Sequence, residues 1–299
     1  MGYSHLAARF SLPSVSVTPS TVAPESQFPA LVTLRCLCLC AAGNFLIRTL
    51  SFVALPENDL PNLYGKVDSA AEGSCALVVK PVIDTVTHSR AGFVLTADGG
   101  RALNYEHLLE ACLLASTLSS LLPGSVAVSA AISLGGTAAS GFVDALERAL
   151  AASGLPPGDL ELAFAEKDLV GAQVPGHPCF EALNSLGVRL AVREFGALAA
   201  PLGMLQHPAI ETVYLDGSLA RRLGHTRVAP HFPAALVSAM LVVAEYLDFK
   251  VVASGVEDAE SMLCLKSLGC TLQEGSFFSP EGGSGSSIAH PVLPGIVKN

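Results

Sequence analysis

Charge is scarce in this chain, and positive charge is scarcer still. Of the 299 residues 14% are charged, with 17 Lys and Arg against 26 Asp and Glu, for a formal net charge of -9 and a pI of about 5.3. That balance repels polyphosphate backbones and excludes general nucleic-acid binding, though not one local basic pocket. The segment 29–55 is apolar, but Arg35 and Arg48 interrupt it, and the uncharged run between them, Cys36–Ile47, is only 12 residues long. A bilayer core needs about 20, so no transmembrane span is read here. The run also lies too far from Met1, behind too polar a lead, for an ordinary signal peptide. A buried helix or a strand pair is the reading, with a peripheral membrane contact as the alternative. With no targeting signal, the cytoplasm is the default compartment.

Catalytic signatures of the common kinds are missing too. His177, His207, His225 and His231 sit in loops or at helix edges, without an H-x-x-x-H spacing, and there is no serine elbow. The GSGSS run near residue 285 has no helix after it, so it is neither a phosphate loop nor a dinucleotide turn. Of the 8 cysteines, Cys36, Cys38 and Cys40 form a C-x-C-x-C run. A zinc knuckle spaces its pair more widely and needs a second pair, so packing on a strand or helix is the plainer reading. Cys75, Cys112, Cys179, Cys264 and Cys270 lie in apolar segments and read as buried core thiols. Nothing demands an oxidising compartment, and no cofactor is indicated.

What is present is apolar bulk: 51% of the residues are hydrophobic, enough for one large core plus a small extra segment. Residues 1–28, rich in Ser, Pro, Thr and Val, read as a flexible tail, and 56–73, with Pro56, Pro61, Gly65 and Gly73, as a linker. Residues 1–73 therefore form an N-terminal extension of unread role. From 74 onward the pattern is regular. Residues 76–83 form a strand, a polar turn leads to a second strand at FVLTA, and the two are expected to form a hairpin. Helices follow at 105–121 and 141–153, the latter stopped by Gly154 and the Pro156–Pro157 pair. Strands are expected at 126–129, 159–164, 212–215, 250–253 and from 271. An amphipathic helix spans 231–247, with Phe232, Leu236, Met240, Val243 and Leu247 on one face, and another spans 258–268. Residues 282–299 read as a flexible tail. About eight strands alternating with helices favour a closed α/β barrel of the (β/α)8 TIM type, modified by an irregular, shortened first third.

The chain is organised around Leu186–Gly196, LGVRLAVREFG: a helix end, a glycine stop at Gly187, a buried strand on Val188, Leu190 and Val192, and a charged pair, Arg193 and Glu194, at the strand end. Strand ends on that face are where α/β barrels keep their chemistry. Four pieces in order, FVDALERALAASGLPPGDLEL, LGVRLAVREFG, VVASGVEDAESMLCLKSLGC and EGSFFSP, resemble the bacterial EAL domains, phosphodiesterases for cyclic di-GMP. The resemblance covers roughly residues 76–281. Between the family's signature and its Asn strand this chain has markedly fewer residues, as if a helix and loop were missing.

The resemblance implies metal-assisted phosphodiester hydrolysis, with two divalent cations held by carboxylates at strand ends. The positions that would carry it are substituted. The signature falls on Val94, Leu95 and Thr96, so Val94 replaces the metal Glu, and Asp98 stands where a phosphate-contacting Arg is expected. The metal Asn aligns with Ser129 and the next metal Glu with Ala163, although Glu166 is kept. The Asp-Asp pair becomes Arg193 and Glu194, a Lys becomes Tyr214, the metal Glu before Gly-Val-Glu becomes Ser254 with Glu257 retained, and a late Gln becomes Glu274. Lys80 stands in the opening Gln-Pro-Ile. On this reading Glu194 and Glu257 are the carboxylates left at the old metal centre, beside Arg193, and no metal site or catalytic residue remains. The expectation is a degenerate EAL-like domain of residues 74–281, not an enzyme, serving as a regulatory protein-interaction module in cyclic di-GMP-related signalling of a bacterium. Its contact surface would lie at the strand ends, on Arg193, Tyr214, Glu257 and Glu274. The alternative is a cyclic di-GMP receptor that binds without cutting, using Lys80 and Arg193 for charge and Tyr214 for stacking. A homodimer is open, but the altered segment GALAAPLGMLQ puts its inheritance from the family in doubt.

Overall fold

The computed structural model describes residues 30–39, 45–54, 64–67, 77–97, 100–103, 107–121, 127–133, 139–171, 178–198, 202–224 and 231–278. The tails read at 1–28 and 282–299, together with Asp98, His177, His225, Cys40, Cys75 and the Cys36 and Cys38 side chains, lie outside them.

Three antiparallel strands come first: β1 (Ala30–Leu39), β2 (Phe45–Ala54) and β3 (Tyr64–Val67). Of the two readings of segment 29–55 the strand pair is the one found, and the expected linker carries a strand of its own. β3 then pairs with β4 (Leu77–Asp84), which joins this extension to the main sheet.

β4 turns back antiparallel into β5 (Ser89–Ala97), the expected hairpin. The Asp84 carboxylate accepts the Val86 and Thr87 amides at 2.8 and 3.4 Å, an Asx turn that presets the reversal. From β5 the strands run parallel: β6 (Ala127–Ile132), β7 (Leu160–Ala165), β8 (Arg189–Phe195), β9 (Ile210–Leu215), β10 (Lys250–Ala253) and β11 (Leu272–Gln273). β11 returns to β4 antiparallel through Leu272–Asp84 and Gln273–Ile83, closing a ring of eight strands. One edge of β4 is taken by β5 along its length. Its other edge is divided, with β3 on Leu77–Val79 and β11 on Ile83 and Asp84.

Helices connect the parallel strands: α1 (Leu108–Leu121), α2 (Ala139–Ser153), α3 (Glu166–Gly171), α4 (Pro178–Ser185), α5 (Gly217–Gly224), α6 (His231–Leu247) and α7 (Ala259–Ser267). Between β8 and β9 the described residues form only a 3-10 turn, Leu202–Gln206. None of the described helices is long and apolar enough to cross a membrane. The barrel is thus the expected modified TIM type.

Alternation along the strands divides the core in two. Outward residues such as Phe93, Phe164 and Val213 pack under the helices. Phe164 anchors that layer, edge-on to Phe142 at 6.3 Å and to Phe180 at 5.2 Å between ring centroids, a geometry aromatic pairs favour. Inward residues Val82, Val94, Ala163, Ala191, Tyr214 and Val252 form a second cluster on the barrel axis, with Leu272 against it.

Candidate functional site

Above that inner cluster, toward the ends of the parallel strands, lie the polar residues. β8 carries Arg193 two positions past Ala191, β10 is followed by Ser254 two past Val252, and β11 by Glu274 two past Leu272. The period-two alternation aims all three inward. They meet. The Arg193 Nη2 donates to Glu274 Oε1 at 3.0 Å, and Ser254 Oγ donates to the same oxygen at 2.8 Å. The guanidinium lies over the Tyr214 ring, 4.9 Å from its centroid, so it has a carboxylate and an aromatic face as neighbours. Burial alone pulls the Arg193 pKa down, but the Glu274 charge and the Tyr214 phenol outweigh it and hold it above the ordinary value. For Tyr214 burial, then the charges of Glu161 and Glu274, push the phenol well above its usual range, so it stays protonated.

Below Tyr214 the network continues. Glu161, 2% exposed, accepts Thr212 Oγ1 at 2.6 Å and the Tyr214 hydroxyl at 3.2 Å. Neither Glu161 nor Thr212 stands out in the sequence as a site residue. The available signal is the period of LELAFA, which places Glu161 on the same face as Ala163, toward the axis.

The substituted positions therefore fall into two groups. Val94 and Ala163 are fully buried and join Tyr214 in the inner apolar cluster, and Ser129 is buried beside Val94 in register. Arg193, Ser254 and Glu274 form the ion-pair group. The two retained carboxylates are elsewhere. Glu194 is exposed at a φ of 57°, where β8 loses its regular pairing between Val192 and Phe195. Alternation alone turns Arg193 in and Glu194 out; the irregularity lets the next residue, Phe195, return to the outer core. Glu257 is exposed and meets Arg221 at 3.6 Å. The expectation that Glu194 and Glu257 flank Arg193 as the remaining carboxylates is corrected accordingly: its ion-pair partner is Glu274. Tyr214 and Glu274 are 4% and 3% exposed, which removes both from any contact surface. Lys80 is half-buried on β4, opposite Val94.

Glu166 has a structural task. Buried at the first residue of α3, it accepts the Gly196 and Leu198 amides at 3.1 and 3.0 Å and ties down the loop after β8. Among the described residues no three His, Cys, Asp or Glu side chains converge as metal ligands would. A pair of divalent cations needs several oxygen ligands, and the strand-end positions offer Val94, Ala163, Ser254 and a guanidinium. These residues do not fit such a centre.

A closed eight-strand α/β barrel with an ion-pair group at its strand ends, beyond an apolar axial cluster, sets the class. The chain belongs to the EAL domain family, whose model matches residues 87–281. It is 31% identical over 132 residues to the uncharacterized protein sll1895 of Synechocystis sp., covering 44% of this chain and 18% of that protein. It is 30% identical over 138 residues to the cyclic di-GMP phosphodiesterase NbdA of Pseudomonas aeruginosa, covering 46% and 17%. Each of these matches spans less than a fifth of the relative's length. The crystal structure of the EAL domain of Mycobacterium smegmatis DcpA shares the fold, with a TM-score of 0.58 at 23% identity over 68% of this chain and 92% of that one.

Proposed function

We propose that this chain is an EAL-family barrel without phosphodiesterase activity, acting as a regulatory protein-interaction module in cyclic di-GMP signalling. One observation carries the reading: where the resemblance calls for metal carboxylates, Val94 and Ala163 pack against Tyr214, and Arg193 is held by Glu274. A guanidinium fixed by a bidentate-capable carboxylate competes directly with a cation for the same charge. A divalent ion entering there meets too few oxygens to offset its dehydration. With catalysis gone, the fold's remaining use is as a scaffold that relatives or targets bind.

The test is incubation of the purified protein with cyclic di-GMP and magnesium or manganese, followed by chromatography for the linear product. No product above the buffer blank is expected. Product formation by the wild type that disappears in an Arg193→Ala variant would sink the proposal.

A second reading is a non-hydrolysing cyclic di-GMP receptor. It is favoured by Arg193 Nη1, which has no hydrogen-bond partner among the described residues, and by Lys80 on β4, the strand across the ring from β8. Calorimetric heat without product, lost in Arg193→Ala, would select it over the interaction module.

A further inference from the structure

The β1–β2 ribbon has two halves that read differently. In the half joined to the barrel, cross-strand pairing carries one face through Phe52, Gly65 and Val79 and through Leu50, Val67 and Leu77. Leu77 and Val79 belong to the outer core, so this face continues the layer under the helices. On β1 it holds Val32 and Leu34, opposite Phe52 and Leu50. The other face is polar, with Thr33, Ser51 and Lys66 in register across the three strands and Arg35 opposite Thr49. That is the alternation of a sheet with one side solvated.

β3 pairs with β2 only from Leu50 to Val53. From Phe45 to Thr49, β2 has β1 alone among the described strands, and here the alternation stops. Leu37, Leu39, Phe45 and Ile47 stand on the face that was polar, and Leu46 on the other. The residues between the strands, Cys-Ala-Ala-Gly-Asn, add no charge. A two-stranded ribbon is marginal in water by itself, and one apolar on both faces calls for a cover. Charge marks where this tip begins. Arg35 pairs with Thr49 and the next rung joins Cys36 to Arg48, so the arginines sit one rung apart on opposite faces. The three strands carry Arg35, Arg48 and Lys66 and no Asp or Glu, in a chain of net charge -9. The rungs Leu50–Val67, Val67–Leu77 and Leu77–Ala97 lie at one level, and Ala97 ends β5. The tip therefore projects past the C-terminal ends of the parallel strands, the side of the barrel that holds Arg193 and Glu274.

We propose that the tip of the β1–β2 ribbon, residues 36–47, inserts into the surface of an anionic lipid bilayer, with Arg35 and Arg48 at the level of the lipid phosphates and the mouth of the barrel turned toward the membrane. A protein partner covers one face or one edge of a sheet, whereas a lipid phase receives both faces alike. Cations on both faces at one depth match a planar layer of anions. From Arg35 to Leu39 the ribbon extends about 13 Å at the usual strand rise, too little to cross a hydrocarbon core of about 30 Å. The unpaired edges of two strands also forbid deep passage. The tip thus lies at the boundary of headgroups and acyl chains, the depth reached by monotopic anchors. The inference goes beyond the interaction-module reading and stands whether or not the barrel hydrolyses cyclic di-GMP, so the hydrolysis and lipid assays fail independently.

The chain has no tryptophan, so Phe45→Trp places a single fluorescent reporter at the tip of the full chain. With vesicles of phosphatidylcholine and phosphatidylserine its emission should shift to the blue, and lipids brominated near the start of the acyl chain should quench it. Flotation with the same vesicles measures the partition. Arg35→Gln with Arg48→Gln should weaken it by about tenfold or more. Arg148→Gln with Lys250→Gln, both exposed on the barrel, removes the same charge and should leave it unaltered. Leu39→Thr, Phe45→Thr and Ile47→Thr together keep strand propensity and should abolish flotation. Unchanged emission of the reporter, equal partition onto pure phosphatidylcholine, equal loss in both charge variants, or flotation that survives the threonine substitutions would overturn the proposal. So would concentration-dependent dimerisation without vesicle binding, seen by sedimentation velocity and lost in the threonine variant, because a second copy would then cover the tip.

Discussion

Replacing Glu274 by alanine strands Arg193. The guanidinium keeps its place over Tyr214 but loses the carboxylate that balances it, inside a site where the pair's side chains are 17% and 4% exposed. Breaking a buried pair from one side costs about 3–5 kcal/mol, whereas replacing both partners by apolar residues of similar volume is often neutral. Urea unfolding of Glu274→Ala should show that loss, and Arg193→Met with Glu274→Met should recover most of it. The cysteines give a second test at this scale. Burial raises the thiols of Cys112 and Cys270 to about 12. Both should resist a thiol reagent at pH 8 in the folded protein, while the partly exposed Cys264 reacts. Because their folded pKa lies above the unfolded value near 9, their contribution to stability is complete below pH 9. It is lost as pH rises from there toward 12, and pH-dependent melting should show the decline in that window. Arg193 announces itself in the sequence because it interrupts a familiar strand ending. Its true partner does not, because 81 residues separate it from Glu274 and no local period links them.

Elements with long, regular patterns are legible from the sequence. α6 and β10 occupy the spans their periodicity predicts, although two residues of the expected apolar face of α6, Phe232 and Leu247, are exposed and its buried side is Val237, Met240 and Ala244; Asp258 caps α7 by accepting the Ser261 amide at 2.7 Å. Short elements escape. α3 has 6 residues and α5 has 8, fewer than three turns each, too little for a period to declare itself. The connection from β8 to β9 holds Pro201 and Gly203, and a helix is discouraged by both. The loops after β9 and β10 touch at two glycines, and here backbone freedom is required. Gly255 has a φ of 71°, and a Cβ on it would lie 2.8 Å from Gly217 Cα. Gly255→Ala should therefore destabilise the fold by about 1–3 kcal/mol from the backbone conformation alone, with a further penalty from the contact. Chemical denaturation measures it, and an unchanged midpoint would show that the two loops can part freely.

At the scale of the molecule, the family's barrel is kept, and the proposed loss of activity turns on the inside of its mouth. A cation that binds only the folded state raises the melting temperature. If the ion pair of Arg193 and Glu274 has taken the cation's place, magnesium or manganese should leave the melting temperature of this protein where it is. A metal-dependent rise that survives Arg193→Ala would point to a binding centre away from the strand-end group. The ring itself was readable from alternating strands and helices, but the way it closes was not, since β4 is antiparallel to both its ring neighbours and shares one edge with the N-terminal strands. That shared edge sets up a rivalry. Each rung that β3 gains by sliding along β4 toward Ile83 is a rung denied to β11, whose hold on β4 is two residue pairs. Glu274 follows β11 directly, so the strand that presents the carboxylate of the buried ion pair shares its partner strand, β4, with the N-terminal extension.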